Sequence, residues 1–393
     1  MGKNVIIIMF GLILGFFTGF YLYFYTPVFT STGKNTYTYH PQLLNDLLPF
    51  HKNVIGFLPY WLINKANSDY SPYISTLTYF GLTIDTNGKI LKLANAQEEE
   101  PGWYSLRTDK LHTYLDSTKN KGISLSLLVF SGGQDAIDTL IDDPVTHADN
   151  LTTDVIPLMK QYGFNDLNID IEKTSTASNE ARMHFTQFIQ KIKQNLDDQH
   201  AGTLTIDMSP TDLIKKDLID PVSISQSANH IVLMTYDYHY LGSYVTGPVA
   251  PLSGAGVIAE FDVDTAIQKA LEIMPAEKII LGVPLYGYAW ETINNSKRSA
   301  VIPGTGDIAS NIRTESFLSS CTTCSAQFDS QAQEAYVIYK DQSTGTYHQI
   351  FYPIQQSIAA KVTTAKTNNL GGIALWALGY EDISILNPLR SYK

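Results

Sequence analysis

The sequence predicts an α/β protein: a (β/α)8 TIM barrel with a small inserted β-rich subdomain between strands 7 and 8, preceded by an N-terminal transmembrane helix. Three observations carry this. From His51 onward, eight short β-branched runs alternate with amphipathic stretches. The alternation breaks once, between about Glu291 and His348. And Val5–Tyr25 is a run of 21 uncharged, mostly apolar residues.

The apolar run comes first in the chain. At about 1.5 Å per residue it spans roughly 30 Å, the thickness of a hydrocarbon core. Lys3 and the α-amino group precede it, and no charge follows until Lys34. Positive residues stay on the cytoplasmic side, so the bulk of the chain is expected outside. Tyr21, Tyr23 and Tyr25 crowd the outer end, where amphipathic rings favour the interface. A cleaved signal peptide is the alternative, but its apolar region is usually shorter and ends in small residues. Here the far end reads Tyr21-Leu22-Tyr23-Phe24-Tyr25-Thr26-Pro27. Residues 1–26 therefore read as a membrane anchor, 27–50 as a linker and 51–393 as the barrel.

The expected strands are Asn53–Leu58, Thr76–Thr83, Ser124–Phe130, Asp166–Glu172, Thr203–Ser209, His230–Tyr236, Lys278–Pro284 and Gly371–Trp376. The expected helices include Thr108–Asn120, Asp154–Tyr162, Asn179–Leu196, Val263–Met274 and Ile354–Thr367. A doubly wound open sheet is the rival architecture. It would carry a Gly-rich phosphate turn after the first strand, whereas here that strand runs into Pro59-Tyr60-Trp61. The interrupting stretch 291–348 holds Gly/Ser/Thr turns, both cysteines and the strand-like runs Glu334–Tyr339 and Tyr347–Tyr352.

Composition excludes some functions. The net charge of −11 argues against a nucleic-acid partner, which wants a basic face. Cys321 and Cys324 are the only cysteines. A lone C-x-x-C reads as a redox pair, half a zinc site or a small disulfide loop. No second C-x-x-C exists, and the outward topology favours the local disulfide.

The run Leu167-Asn168-Ile169-Asp170-Ile171-Glu172 carries the chemistry. Side chains alternate along a strand. With the apolar set facing the surrounding helices, Asn168, Asp170 and Glu172 point into the barrel. Inward polar groups at a strand's C-terminal end sit where barrel enzymes place catalytic groups. Two carboxyls two residues apart lie roughly 6–7 Å apart at the backbone and can lean together. One pKa then rises, and a raised carboxyl is the proton donor that glycosidic cleavage needs. The bland reading is a half-exposed strand with a solvated acidic face. On the sixth strand Met234 and Tyr236 share one face, followed by Asp237. Trp376 at the end of the eighth strand and Trp290 after the seventh read either as floors under a sugar ring or as plain core.

Together these residues resemble glycoside hydrolase family 18, the chitinase-like barrels. That family's fourth strand reads D-x-x-D-x-D-x-E, and Asn165 to Glu172 matches at Asp170 and Glu172. Its M-x-Y-D resembles Met234-Thr235-Tyr236-Asp237. Its seventh strand resembles Leu281-Gly282-Val283-Pro284-Leu285-Tyr286-Gly287, and its eighth Gly371-Gly372-Ile373-Ala374-Leu375-Trp376. The resemblance implies substrate-assisted, retaining hydrolysis. Glu172 would be the acid/base, Asp170 would orient the acetamido nitrogen and Tyr236 would donate to the acetamido carbonyl. It implies substrate contacts at Asn168, Met234, Asp237, Trp376, Tyr286 and Trp290, and no metal or cofactor. The expected partner is a polysaccharide containing N-acetylglucosamine, met by a monomer. There are departures. Asn165 and Asn168 replace two aspartates, and an Asn at 168 resembles the subset acting on bacterial wall glycan, spore-cortex enzymes included. The third strand has Phe130-Ser131-Gly132-Gly133 where the family has S-x-G-G, with Gln134 at a position commonly aromatic. Trp103 and Tyr238 are further subsite candidates. The alternative from another class is a non-catalytic glycan-binding protein on the same barrel.

Overall fold

The computed structural model describes residues 52–393 except 174 and 216. The expected anchor and linker lie outside the described residues. Among those described, no helix is long and apolar enough to cross a membrane.

Eight parallel strands close a barrel. They are β1 (Asn53–Pro59), β2 (Thr76–Thr83), β3 (Ser124–Gly132), β4 (Asp166–Glu172), β5 (Thr203–Met208), β6 (His230–Leu233), β7 (Ile279–Pro284) and, last in the chain, β13 (Gly372–Trp376). Each pairs with its sequence neighbours, and β13 closes the ring against β1 and β7. Every strand expected from sequence is present, with ends that move by up to three residues. The sixth moves most: it stops at Leu233, not Tyr236. Its ladder to β7 ends at Leu233↔Leu281. Beyond it Thr235 Oγ1 donates to the Gly282 carbonyl at 2.6 Å, anchoring a chain that has left the sheet.

The connecting helices wrap the barrel. The helix expected at Asp154–Tyr162 begins ten residues earlier, at Pro144. Asp143 caps it by accepting from the Thr146 N–H, and Pro144 stands in the first turn, where its missing donor costs nothing. The Asp143-Pro144 pair is thus a start signal. The link from β1 to β2 holds only a 3₁₀ turn, Tyr60–Leu62. Between barrel and helices lies one large apolar cluster, to which β4 contributes Leu167, Ile169 and Ile171. Inside the barrel sits a separate, smaller one: Ile55, Phe57, Leu128, Val232, Ile280 and Ala374, with Phe80, Phe130 and Trp376 against it.

The insertion is a five-stranded antiparallel sheet, ordered β10-β11-β12-β8-β9. Its strands are β8 (Tyr286–Thr292), β9 (Asp307–Ser310), β10 (Ala326–Asp329), β11 (Glu334–Lys340) and β12 (Tyr347–Tyr352). It is wider than the expected 291–348. The sheet starts one residue after β7 ends, because Gly287 packs its backbone directly against Phe351 and Tyr352. A disulfide joins Cys321 to Cys324 after the helix Asn311–Ser320.

Candidate active site

The even-numbered residues of β4 form a column up the barrel interior. At the bottom Asp166 is held by three hydroxyls, from Ser126 (2.7 Å), Thr203 (2.6 Å) and Thr205 (3.0 Å). Burial still pushes its carboxyl up to about 6. Above it Asn168 is completely buried, its Nδ2 donating to Asp207 Oδ1 at 3.1 Å. Asp170 comes next, buried, and then Glu172 at the mouth, exposed to the cleft.

These groups are electrostatically crowded. Burial first, then the charges of Asp207 and Glu172, hold Asp170 well above the usual carboxylate range. Crowding around the Glu172 carboxyl, then the charge of Asp237, raises Glu172. A carboxyl whose pKa is raised, at a barrel mouth, gives up a proton to a substrate oxygen more usefully than an ordinary carboxyl does.

The segment after β6 completes the wall. Asp237 takes a left-handed backbone, φ 58°, which non-glycine residues seldom adopt and which re-aims the chain at the cleft. Its Oδ1 accepts from Tyr286 Oη (2.6 Å) and Tyr288 Oη (3.0 Å). Burial raises Asp237 and these two hydrogen bonds oppose the rise. Tyr236 lies over β7 at a glycine. A Cβ at Gly282 would sit 2.4 Å from the Leu233 carbonyl oxygen and 3.0 Å from the Tyr236 ring, so the glycine admits the β6 backbone first and the ring beside it.

Asp170, Glu172, Met234, Tyr236, Asp237, Tyr238 and Trp376 line one cleft of about 960 Å³. Phe80 and Trp376 meet edge to face at 5.1 Å, forming an apolar base beside the acids. The predicted substrate contacts divide. Met234, Asp237 and Trp376 reach the cleft. Asn168 does not, since it is sealed beneath Asp170. Tyr286 does not line it either. It is buried behind Asp237 and acts on that carboxylate. Trp290 is fully buried in the inserted sheet against Tyr288 and Phe351, with Nε1 donating to the Tyr240 carbonyl at 3.3 Å. The strand carrying it leaves the barrel, so its plain-core reading is the right one. Trp103 lies away from the cleft, between Lys92 and Arg107.

Sequence reasoning missed Asp207 on β5 and the outer rim of Asp212, Lys215, Asp217, Glu260 and Phe261. Asp207 had a signal. Thr203, Thr205 and Asp207 alternate with Leu204, Ile206 and Met208, the same pattern as β4. The rim had none, because it comes from loops far apart in sequence.

The sequence matches the profile of Glycosyl hydrolases family 18 over residues 53–381. It is 27% identical over 339 residues to the putative sporulation-specific glycosylase YdhD of Bacillus subtilis, spanning 83% of this chain and 72% of that protein. It is 24% identical to the cortical fragment-lytic enzyme of the same organism, over 81% and 67% of the two chains. Among solved structures, the Ostrinia furnacalis Group IV chitinase bound to allosamidin superposes with a TM-score of 0.74 at 19% identity, covering 86% of this chain and 98% of that one. The Bacillus cereus spore cortex-lytic enzyme SleL gives 0.67 at 18%, covering 93% and 78%. Profile, column and cleft agree: the chain belongs to glycosyl hydrolase family 18 and is a glycosidase.

Proposed function

We propose that this chain cleaves β-linked N-acetylglucosamine-containing glycan with retention, by substrate-assisted catalysis, and that its glycan is bacterial peptidoglycan. The observation that carries the chemistry is the convergence of Glu172, Asp170 and Tyr236 on one cleft floored by Trp376. Glu172 gives its proton to the glycosidic oxygen as the bond to the anomeric carbon breaks. The acetamido carbonyl oxygen of the same sugar attacks that carbon, and Asp170 accepts from the acetamido N–H. Tyr236 donates to the carbonyl oxygen. Glu172, now a carboxylate, takes a proton from water as the water opens the oxazolinium ring. The proton is back where it began and configuration is kept.

The wall-glycan reading draws on the sporulation and cortex enzymes among the relatives. It also agrees with the expected N-terminal anchor, which would place the barrel outside the cytoplasm beside that glycan. The test is mass analysis of products from purified peptidoglycan and from chitooligosaccharide, with wild type and Glu172→Gln. New reducing ends from peptidoglycan, absent with Glu172→Gln, are expected. Cleavage of chitooligosaccharide alone would overturn the wall assignment. An active Glu172→Gln would overturn the assignment of the acid. Membrane-fraction blotting, with and without residues 1–26, tests the anchor.

A further inference from the structure

Asp170 has two lateral neighbours in the barrel wall. On one side β3 sets Phe130 against it, an apolar ring. On the other, β4 and β5 pair through Asn168↔Thr205 and Ile169↔Ile206. The ladder ends there; carried one step further it would set Asp170 beside Asp207, whose charge acts on Asp170. Adjacent strands lie about 4.8 Å apart, and matched positions of parallel neighbours face the same way. Asp170 and Asp207 are each only 4% exposed, and both border the cleft. Among the described residues no ion pair reaches either one.

The hydrogen bonding around this pair is lopsided. Asp207 receives the Asn168 amide, whereas Asp170 Oδ1 is buried and has no hydrogen-bond partner among the described residues. A buried carboxylate oxygen without a donor is costly. Two carboxylates at this spacing cannot both ionise cheaply either. One proton held between them answers both problems. The other titratable groups facing the pair are Asp166 below, Glu172 above and Tyr236 across the barrel, and none brings a positive charge.

We propose that Asp207 is a positioning residue for Asp170: the two carboxyls share a single proton, which rests on Asp207 whenever Asp170 presents an ionised oxygen to the substrate. This rests on the role given to Asp170 above. In the step, the O–H bond on Asp170 breaks and one forms on Asp207, so the pair keeps one negative charge throughout. The proton returns when product leaves. Asp170 thereby ionises without adding charge beside Glu172, which must keep its own proton until the glycosidic oxygen takes it. In this chain Asn168 is the bridge. It fixes the Asp207 carboxyl from the β4 side.

The test is the pH profile of kcat/KM for the full chain, on whichever of chitooligosaccharide and peptidoglycan the wild type cleaves. Sharing a proton stabilises the singly charged pair, so it lowers the pH at which Asp170 becomes available. Asp207→Asn is expected to move the acidic limb upward by about one pH unit, roughly a tenfold loss on that limb. Mere loss of a neighbouring negative charge would move it downward. An unmoved or lowered limb overturns the proposal. The double variant Asn168→Asp/Asp207→Asn returns a carboxyl to the pair from the β4 side and is expected to bring the limb back. A folded double variant whose limb stays with the single variant also counts against it. Carboxyl ¹³C titration of aspartate-labelled protein reads the same pair without turnover. Two separated steps are expected in wild type and one in Asp207→Asn, and a wild type lacking the paired steps overturns the idea. Failure of the reading above is distinguishable, because it shows in Glu172→Gln and not in Asp207→Asn.

Discussion

Two buried acidic sites in this molecule are built in opposite ways. In the inserted sheet, Glu334 is 1% exposed and fully provided for. It accepts from the Val249 N–H (2.9 Å) and the Ala250 N–H (2.7 Å), and the Lys361 ammonium stands 3.7 Å away. In the barrel, among the described residues, no cation pairs with Asp170 or Asp207 and no donor reaches Asp170 Oδ1. The first arrangement neutralises a charge so that a subdomain can be held against the segment 249–250. The second leaves charge uncompensated, which is tolerable only if protons fill the gap. Burial raises Glu334 too, and the Lys361 charge and the two N–H donors oppose that rise; Asp170 has only burial and like charges acting on it. The two sites therefore differ in their partners and not in their burial.

Single substitutions should act on the two sites in opposite ways. The largest effect is expected from Glu172→Gln, about a thousandfold loss of kcat with little change in thermal stability, checked by steady-state kinetics and calorimetry. Removing one partner of the other site should do the reverse. Lys361→Met strands Glu334 and is expected to cost about 3–5 kcal/mol in urea denaturation, with kcat per folded molecule unchanged. A kcat loss matching that of Glu172→Gln would erase the distinction drawn here.

A third effect depends on pH. Burial pushes Asp212, at the cleft rim, up to about 7. An acid raised on folding contributes stability that is fully present below its unfolded value near 4 and is lost as pH rises through about 7. Asp212→Asn keeps an oxygen for the Ile219 N–H, which Asp212 Oδ1 now accepts at 3.0 Å. It should become more stable relative to wild type as pH climbs from 4 to 7, by roughly 4 kcal/mol. A difference that is flat with pH would place the Asp212 carboxyl in water. Smaller still, Tyr286→Phe removes one of two phenol donors to Asp237. It should lower kcat/KM several-fold, about 1 kcal/mol, and raise the Asp237 pKa further. Least of all, Lys193→Gln breaks an exposed ion pair with Asp197 one helical turn away, expected at 0.5 kcal/mol or below and silent in kinetics.

Much of the fold was legible because local pattern and burial coincide in a barrel wall. Leu167, Ile169 and Ile171 had to face the helices, so Asn168, Asp170 and Glu172 had to face inward, and they do. The same alternation on β5 was there to be read, and it points to Asp207. Depth was not legible. Asn168 and Glu172 share a face, yet one is sealed and the other open, because that depends on how far up the barrel each one sits. Trp290 and Tyr286 lie off the cleft for a related reason. Whether a residue just past β7 lines the mouth or enters another core is decided by where β12, some 60 residues later, comes to pair.

Local pattern along the chain is enough for the succession of eight strands, the place of the insertion and the inward column of β4. Each follows from periodicities of a few residues, which a strand or helix expresses without help from the rest of the chain. Which acids meet depends on how distant strands come together. Asp207 came to Asp170 through the register of two strands joined by a 20-residue helix, Asn179–Asp198. Asp237 was aimed by two tyrosines of the inserted sheet. Proton sharing falls off over a few ångströms, and no spacing along a chain fixes a distance of that kind across it.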